Sequence, residues 1–113
     1  MEIIFHAHHA VISPRLQQRA EASLRRLVVR LGRAVDAIVR IEQDGPARRV
    51  ELVLHAPRGR RLVARGEGRF FGPALTTALG KLAAQVARNR TARSTTTRHR
   101  ASRATGRRRR VPA

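Results

Sequence analysis

VDAIVRIEQDGPARRVELVLHAPRGRRLVARG, residues 35–66, is the stretch on which the fold turns. Val35, Ala37, Val39 and Ile41 alternate with Asp36, Ile38, Arg40 and Glu42, the period of two expected of a strand with one covered face. Asp44-Gly45-Pro46 reads as a turn. Val50, Leu52, Leu54 and Ala56 then alternate with Arg49, Glu51, Val53 and His55. Pro57-Arg58-Gly59 is a second turn, and Arg61 to Gly66 a shorter third run. Three strands joined by two tight turns predict an antiparallel meander.

Working outward, residues 2–7 alternate as well, with Ile3, Phe5 and Ala7 on one side and Glu2, Ile4 and His6 on the other. Ser13-Pro14 is a helix start, because serine caps orphan amides and proline fits the first helical position. Leu16, Ala20, Leu24, Leu27 and Leu31 follow at helical spacing, with Arg15, Arg19, Arg26 and Arg30 on the opposite face and Gly32 as the stop. After the third run, Pro73 marks a second helix whose apolar stripe is Leu75, Ala78, Leu79, Leu82 and Val86. Each helix has one apolar face, so both belong on the same side of the sheet. The expectation is an α+β two-layer sandwich, β-α-β-β-β-α, with a mostly antiparallel four-stranded sheet and both helices on one face. It occupies residues 1–92. The stretch from Arg93 to Arg110 is Arg, Thr, Ser and Ala with one Gly and one His, so residues 93–113 are expected to be a disordered Arg-rich tail.

Charge bears most directly on function. The 113 residues hold 25 Lys and Arg against seven acids, a net charge of +18. All seven acids precede residue 70, and only Lys81 among the basic residues is lysine. A charge this large attracts polyanions, with nucleic acid the natural partner and an anionic membrane surface the weaker alternative. Arginine grips phosphate through a bidentate fork. With three aromatics, all Phe, base stacking is minor, and phosphate and shape contacts to structured RNA are expected to dominate. The absence of cysteine excludes disulfides, thiolate metal sites and thiol catalysis. No apolar run approaches the roughly 18–20 residues of a membrane span. The start Met1-Glu2-Ile3-Ile4-Phe5-His6 does not resemble a signal peptide, so the expected location is the cytoplasm.

Three other patterns bear on chemistry. His6 and His8 share a strand face, with His9 beside them, but a metal site needs three or four ligands with support behind them. Gly66-Glu67-Gly68-Arg69-Phe70-Phe71-Gly72 joins a strand to a helix, as a dinucleotide-binding loop does. Glu67 would set an anion beside phosphate, and no ribose-binding acid follows about twenty residues on. A tight strand exit, whose glycines permit unusual backbone angles, is the reading taken. No nucleophile and no pair of acids stands at catalytic spacing. A binding protein without metal, cofactor or small-molecule substrate is expected, not an enzyme.

The residues resemble one family. Met1-Glu2-Ile3-Ile4-Phe5-His6-Ala7-His8-His9-Ala10-Val11-Ile12-Ser13 is similar to the first strand and helix cap of the ribosome hibernation promoting factors, also described as ribosome-associated inhibitors or sigma-factor modulation proteins. Arg26-Leu27, the Glu67-Gly68 turn, and Lys81-Leu82-Ala83-Ala84-Gln85-Val86-Ala87-Arg88-Asn89-Arg90 resemble the family's later signatures, so that the likeness covers roughly residues 1–92. Phe70 and Gly72 stand where the family commonly has an Asp and an aromatic or His, and Pro73 follows them. Thr76 stands where it commonly has an acid, and Ser23 where it often has a base. The resemblance implies a strand, helix, three strands, helix fold. It also implies binding to the small ribosomal subunit and its 16S rRNA across the tRNA and mRNA positions of the decoding channel, with translation inhibited by occlusion. Long members add a ribosome-pairing domain, so this chain looks like a short form, monomeric off the ribosome. Arg26, Lys81, Arg88 and Arg90 are the phosphate contacts the resemblance implies. Arg19, Arg30 and Arg93 are added from charge and helical face. The alternative is a general structured-RNA or DNA binding module with no preference for ribosomes.

Overall fold

The computed structural model describes the backbone of residues 1–102 and the side chains of residues 1–89. The elements are β1 (Glu2–His8), α1 (Pro14–Leu31), β2 (Asp36–Asp44), β3 (Ala47–His55), β4 (Arg61–Gly68) and α2 (Phe71–Ser102). The sheet order is β1-β2-β3-β4. The β2–β3 and β3–β4 pairs are antiparallel, while β1 lies parallel to β2. A parallel pair needs a crossover long enough to return the chain to the same end of the sheet, and α1 is that crossover.

The local signals act as their chemistry requires. Ser13 has an extended backbone and its Oγ accepts from the Leu16 N–H at 3.1 Å, with Pro14 at the first helical position. Gly32 ends α1 at φ +101°, its N–H donating to the Val28 carbonyl at 2.8 Å. Gly45, at φ +61°, and Pro46 form a two-residue turn that pairs Asp44 with Ala47. The second turn contains one turn of 3-10 helix, Pro57–Gly59. Two boundaries move outward from the sequence reading. β4 runs on to Gly68, because Glu67 and Gly68 keep their pairing with Arg49 and Arg48. α2 starts at Phe71 rather than Pro73, with the Ala74 N–H donating to the Phe70 carbonyl. Pro73 therefore sits in the first turn, where its missing N–H has no partner to lose.

One face of the sheet is covered by both helices. Ala37, Val39 and Ile41 of β2, Val50, Leu52 and Leu54 of β3, and Leu62 and Ala64 of β4 are buried against Ala20, Leu24, Leu27 and Leu31 of α1 and Ala74, Leu75, Ala78, Leu82 and Val86 of α2. Ile3, Phe5, Leu16 and Leu79 pack at the margin of this core, partly exposed. No polar or charged side chain is buried among the described residues, so apolar burial carries the core.

β4 and α2 come backbone to backbone at Gly66. A Cβ there would stand 2.0 Å from the Ala74 carbonyl oxygen and 2.8 Å from the Ala78 nitrogen. This corrects the reading of the Gly66–Gly72 segment. Gly66 and Gly68 lie in β4 with ordinary strand backbones, and what Gly66 supplies is the missing side chain, not an unusual angle. α2 is described through Ser102, and the expectation of a disordered tail over residues 93–113 falls from residue 103 on outside the described residues.

Candidate nucleic-acid interface

Arg19, Ser23, Arg26 and Arg30 recur along α1 as one stripe, three or four residues apart. The stripe is not the outer face that periodicity assigned to these arginines. It is the flank turned toward α2. Arg19 bridges the helices, with Nη1 donating to the Gly72 carbonyl at 3.1 Å and Nη2 to Thr76 Oγ1 at 2.5 Å. Thr76 Oγ1 in turn donates to the same carbonyl at 3.1 Å. Farther along, the helices leave a groove of about 530 Å³ between Arg26, Leu27 and Arg30 of α1 and Leu79, Gly80 and Ala83 of α2. Arg26 Nη2 donates to Ser23 Oγ at 3.3 Å. Among the described residues, neither Arg26 nor Arg30 has an ion-pair partner.

Lys81 and Arg88 occupy a different surface. They are seven residues apart, so they share one stripe of α2, and both are exposed. At about 100° per residue, that stripe lies on the flank away from Gly80 and Ala83. Between them Gln85 reaches the sheet, its Nε2 donating to the Val63 carbonyl at 2.6 Å. The seven residues singled out from sequence thus separate. Arg26 and Arg30 line the groove, Arg19 is committed to holding the helices together, and Lys81 and Arg88 face outward elsewhere. The side chains of Arg90 and Arg93 lie outside the described residues.

The uncovered face of the sheet has the opposite character. Strand register sorts its residues into four rungs. One is Glu2, Asp36, His55 and Arg61. The next, Ile4, Ile38, Val53 and Val63, is apolar. The third is His6, Arg40, Glu51 and Arg65, and the last is His8, Glu42, Arg49 and Glu67. Asp44 extends the face beyond the last rung. Six of the protein's seven acids therefore stand here, and only Glu21 stands on a helix. Four arginines share the face. Glu51 takes Arg40 at 3.4 Å and Arg65 at 2.8 Å. Arg49 serves three carboxylates, Asp44 at 3.1 Å, Glu67 at 3.4 Å and Glu42 at 3.7 Å. Hydrogen bonds to Asp44 and then Glu67 raise the Arg49 pKa above its ordinary value. His55 Nδ1 meets Asp36 Oδ1 at the far end.

His6 and His8 point onto this face with Arg40 and Glu42 as cross-strand neighbours, and no cluster of three or more potential ligands forms among the described residues. No described helix is long and apolar enough to cross a membrane. Sequence reasoning passed over Gly80. The signal was available, since it is a glycine inside the period of α2 with no turn to justify it.

Two solved structures share the architecture. One, a ribosomal subunit interface protein from Coxiella burnetii, has a TM-score of 0.73 at 19% identity, over 80% of this chain and 99% of that one. The other, the N-terminal domain of Thermus thermophilus Protein Y, has a TM-score of 0.67 at 24% identity, over 78% and 98%. No curated protein matches the chain. The family model described as Sigma 54 modulation protein / S30EA ribosomal protein matches residues 3–94, which runs from β1 through the four strands and α1 into most of α2. The chain belongs to the Sigma 54 modulation protein / S30EA ribosomal protein family.

Proposed function

We propose that this protein binds the small ribosomal subunit through 16S rRNA in the decoding channel and inhibits translation by occluding the tRNA and mRNA positions. Membership of the family supports a ribosome-associated role, as does the likeness to the ribosomal subunit interface protein from Coxiella burnetii. The observation that carries the reading to RNA is the sorting of charge. The sheet face holds six carboxylates and four of the 25 basic residues, and the other 21 share the rest of the chain with Glu21 alone. A polyanion is attracted to the helical side and gains little from the sheet. On this reading Arg26, Arg30, Lys81 and Arg88, with Arg90 and Arg93, contact phosphate, and Arg19 fixes the helix spacing that presents them. Residues 1–92 choose the site and residues 93–113 add affinity without sequence preference. The protein acts in the cytoplasm by binding rather than catalysis, as a monomer until it docks.

Sedimentation of the full chain with purified ribosomes, separated subunits and free duplex RNA tests the proposal. Co-migration with small subunits in preference to duplex, and repression of a reconstituted translation reaction, are the expected results. Equal binding to duplex and subunits would instead support a general nucleic-acid module.

A further inference from the structure

Of the three phenylalanines, Phe5 and Phe71 pack against the core, while Phe70 is left 67% exposed. A single apolar side chain on a loose surface loop would need no explanation. Phe70 stands instead on a turn that is held from two sides. The Arg69 carbonyl accepts from Arg48 Nη1 of β3 at 2.5 Å, the Phe70 carbonyl from the Ala74 N–H at 3.2 Å, and the Gly72 carbonyl from Arg19 Nη1 of α1 at 3.1 Å. The Arg48 guanidinium also lies over the Phe71 ring, 5.8 Å from its centroid, within reach of a cation–π contact. The turn is thereby fixed to the sheet and to both helices. What the fold leaves unused is the Phe70 ring and the guanidinium of Arg69 beside it, which is exposed and has no ion-pair partner among the described residues. Gly68 and Gly72 bracket the pair without side chains, and a Cβ at Gly72 would meet nothing within 4 Å.

We propose that Phe70 is a stacking platform for an unpaired nucleobase of the bound RNA, with Arg69 taking an adjacent phosphate. The inference rests on the ribosome-binding reading and adds to its phosphate contacts a site that engages a base. An exposed aromatic face stacks on any base, and an arginine fork takes phosphate, so the two side chains together match the two chemistries of a nucleotide. An apolar pocket on a protein would match the ring alone and would leave the neighbouring guanidinium to find a carboxylate. Because three carbonyls of the turn are already bonded, its backbone is ordered before anything binds, and little further ordering is lost on stacking. Duplex RNA hides the faces of its bases, so the site selects a splayed or single-stranded nucleotide. Arg19 ties the same turn to α1, which sets the ring at the margin of the basic helical side, where a strand held by phosphate contacts passes.

The test uses the full chain and two probes, purified small subunits and protein-free 16S rRNA. Phe70→Leu keeps an apolar side chain and removes the π-face, and Phe70→Ala removes both. Phe70→Trp keeps the face and adds a fluorophore to a chain that has no tryptophan. The ring is exposed, so all three variants should keep the thermal midpoint of wild type. Phe70→Leu and Phe70→Ala should each bind both probes at least about fivefold more weakly, the lower end of what one stacked base contributes. Their log–log salt slope should match wild type, because stacking releases no counterions. Phe70→Trp should bind as tightly as wild type, with its emission quenched on rRNA. If wild type binds both probes and Phe70→Leu and Phe70→Ala bind them equally well, the ring is not a contact, although the ribosome reading stands. If Phe70→Leu matches wild type while Phe70→Ala is weakened, or if the weakening appears on subunits alone, the ring enters an apolar pocket of a ribosomal protein and the nucleobase assignment is overturned. If wild type itself binds neither probe, the underlying reading falls and takes the stacking site with it.

Discussion

Gly66→Ala is the sharpest test of how the fold positions the helical side. The added methyl would stand 2.0 Å from the Ala74 carbonyl oxygen and 2.8 Å from the Ala78 nitrogen, both backbone atoms of α2. Ordinary van der Waals contact begins at 3.4 Å, so β4 and α2 must part by 1.4 Å, the difference from 2.0 Å. β4 cannot yield alone, because Gly66 is paired to Val50 in the sheet. α2 must lift, and with it Leu75, Ala78 and Leu82, which are all but inaccessible to solvent. Overpacking a tight core costs about 1–3 kcal/mol, and a gap of 0.5–1 Å forfeits roughly a quarter to a half of each dispersion contact it opens. A loss of about 3 kcal/mol or more is expected. For a domain of this size each kcal/mol is about 4–8 °C of melting temperature, so the midpoint should drop by at least about 12 °C. Thermal and urea denaturation followed by far-UV circular dichroism measure it. Gly72→Ala is the control, since a Cβ there meets nothing within 4 Å, and it should stay within about 0.5 kcal/mol of wild type. A Gly66→Ala midpoint within about 4 °C of wild type would refute the claim that this contact sets the spacing of the layers.

Further outcomes follow from the charge distribution. Binding to small subunits should weaken steeply with salt, by about 10³–10⁵ between 50 and 200 mM if six to ten phosphates are engaged, and a flat response would exclude a phosphate-led mechanism. Lys81→Glu with Arg88→Glu should release the chain from subunits without lowering its thermal midpoint, because both side chains are exposed, and normal co-sedimentation of the folded double variant would remove them from the interface. Deleting residues 93–113 should weaken binding several-fold and reduce the salt slope while leaving the rRNA footprint in place. A displaced footprint would assign site choice to the tail.

Strand alternation, the Ser13 cap, the Gly32 stop and the core leucines were legible in the sequence because each depends on neighbours within a few positions. Period two fixed which residues of 35–56 turn inward, and the observed register follows it through Ala37, Val39, Ile41, Val50, Leu52 and Leu54. The role of Gly66 was not legible, because it depends on Ala74 and Ala78 approaching across the layers. The same holds for Arg19. Helical spacing put it on a polar face, but only the packing of α1 beside α2 could show that its guanidinium is spent on Gly72 and Thr76. Period alone marks the face of a helix that is buried. It does not say which flank a neighbouring helix will meet, and so the groove holding Arg26 and Arg30 could not be drawn from sequence.

The arrangement also accounts for how a small basic domain folds within a chain whose net charge is +18. Self-repulsion disfavours the compact state. On the sheet it is relieved locally, with Glu51 shared by two arginines and Arg49 shared by three carboxylates across adjacent strands. These pairs are exposed and contribute little stability each. Their larger effect is to hold the acids away from the helices, on the face that strand alternation opposes to the core. The helical side is left with uncompensated arginine, whose repulsion bound phosphate would relieve on the proposed reading. Moving one acid across the core therefore changes two things together. Arg26→Glu removes a positive charge and pairs with Arg30 one turn farther on, leaving Arg30 in the last turn of α1, so it should raise the stability of the free protein while weakening its hold on RNA. A variant that lost stability and kept its affinity would contradict that account.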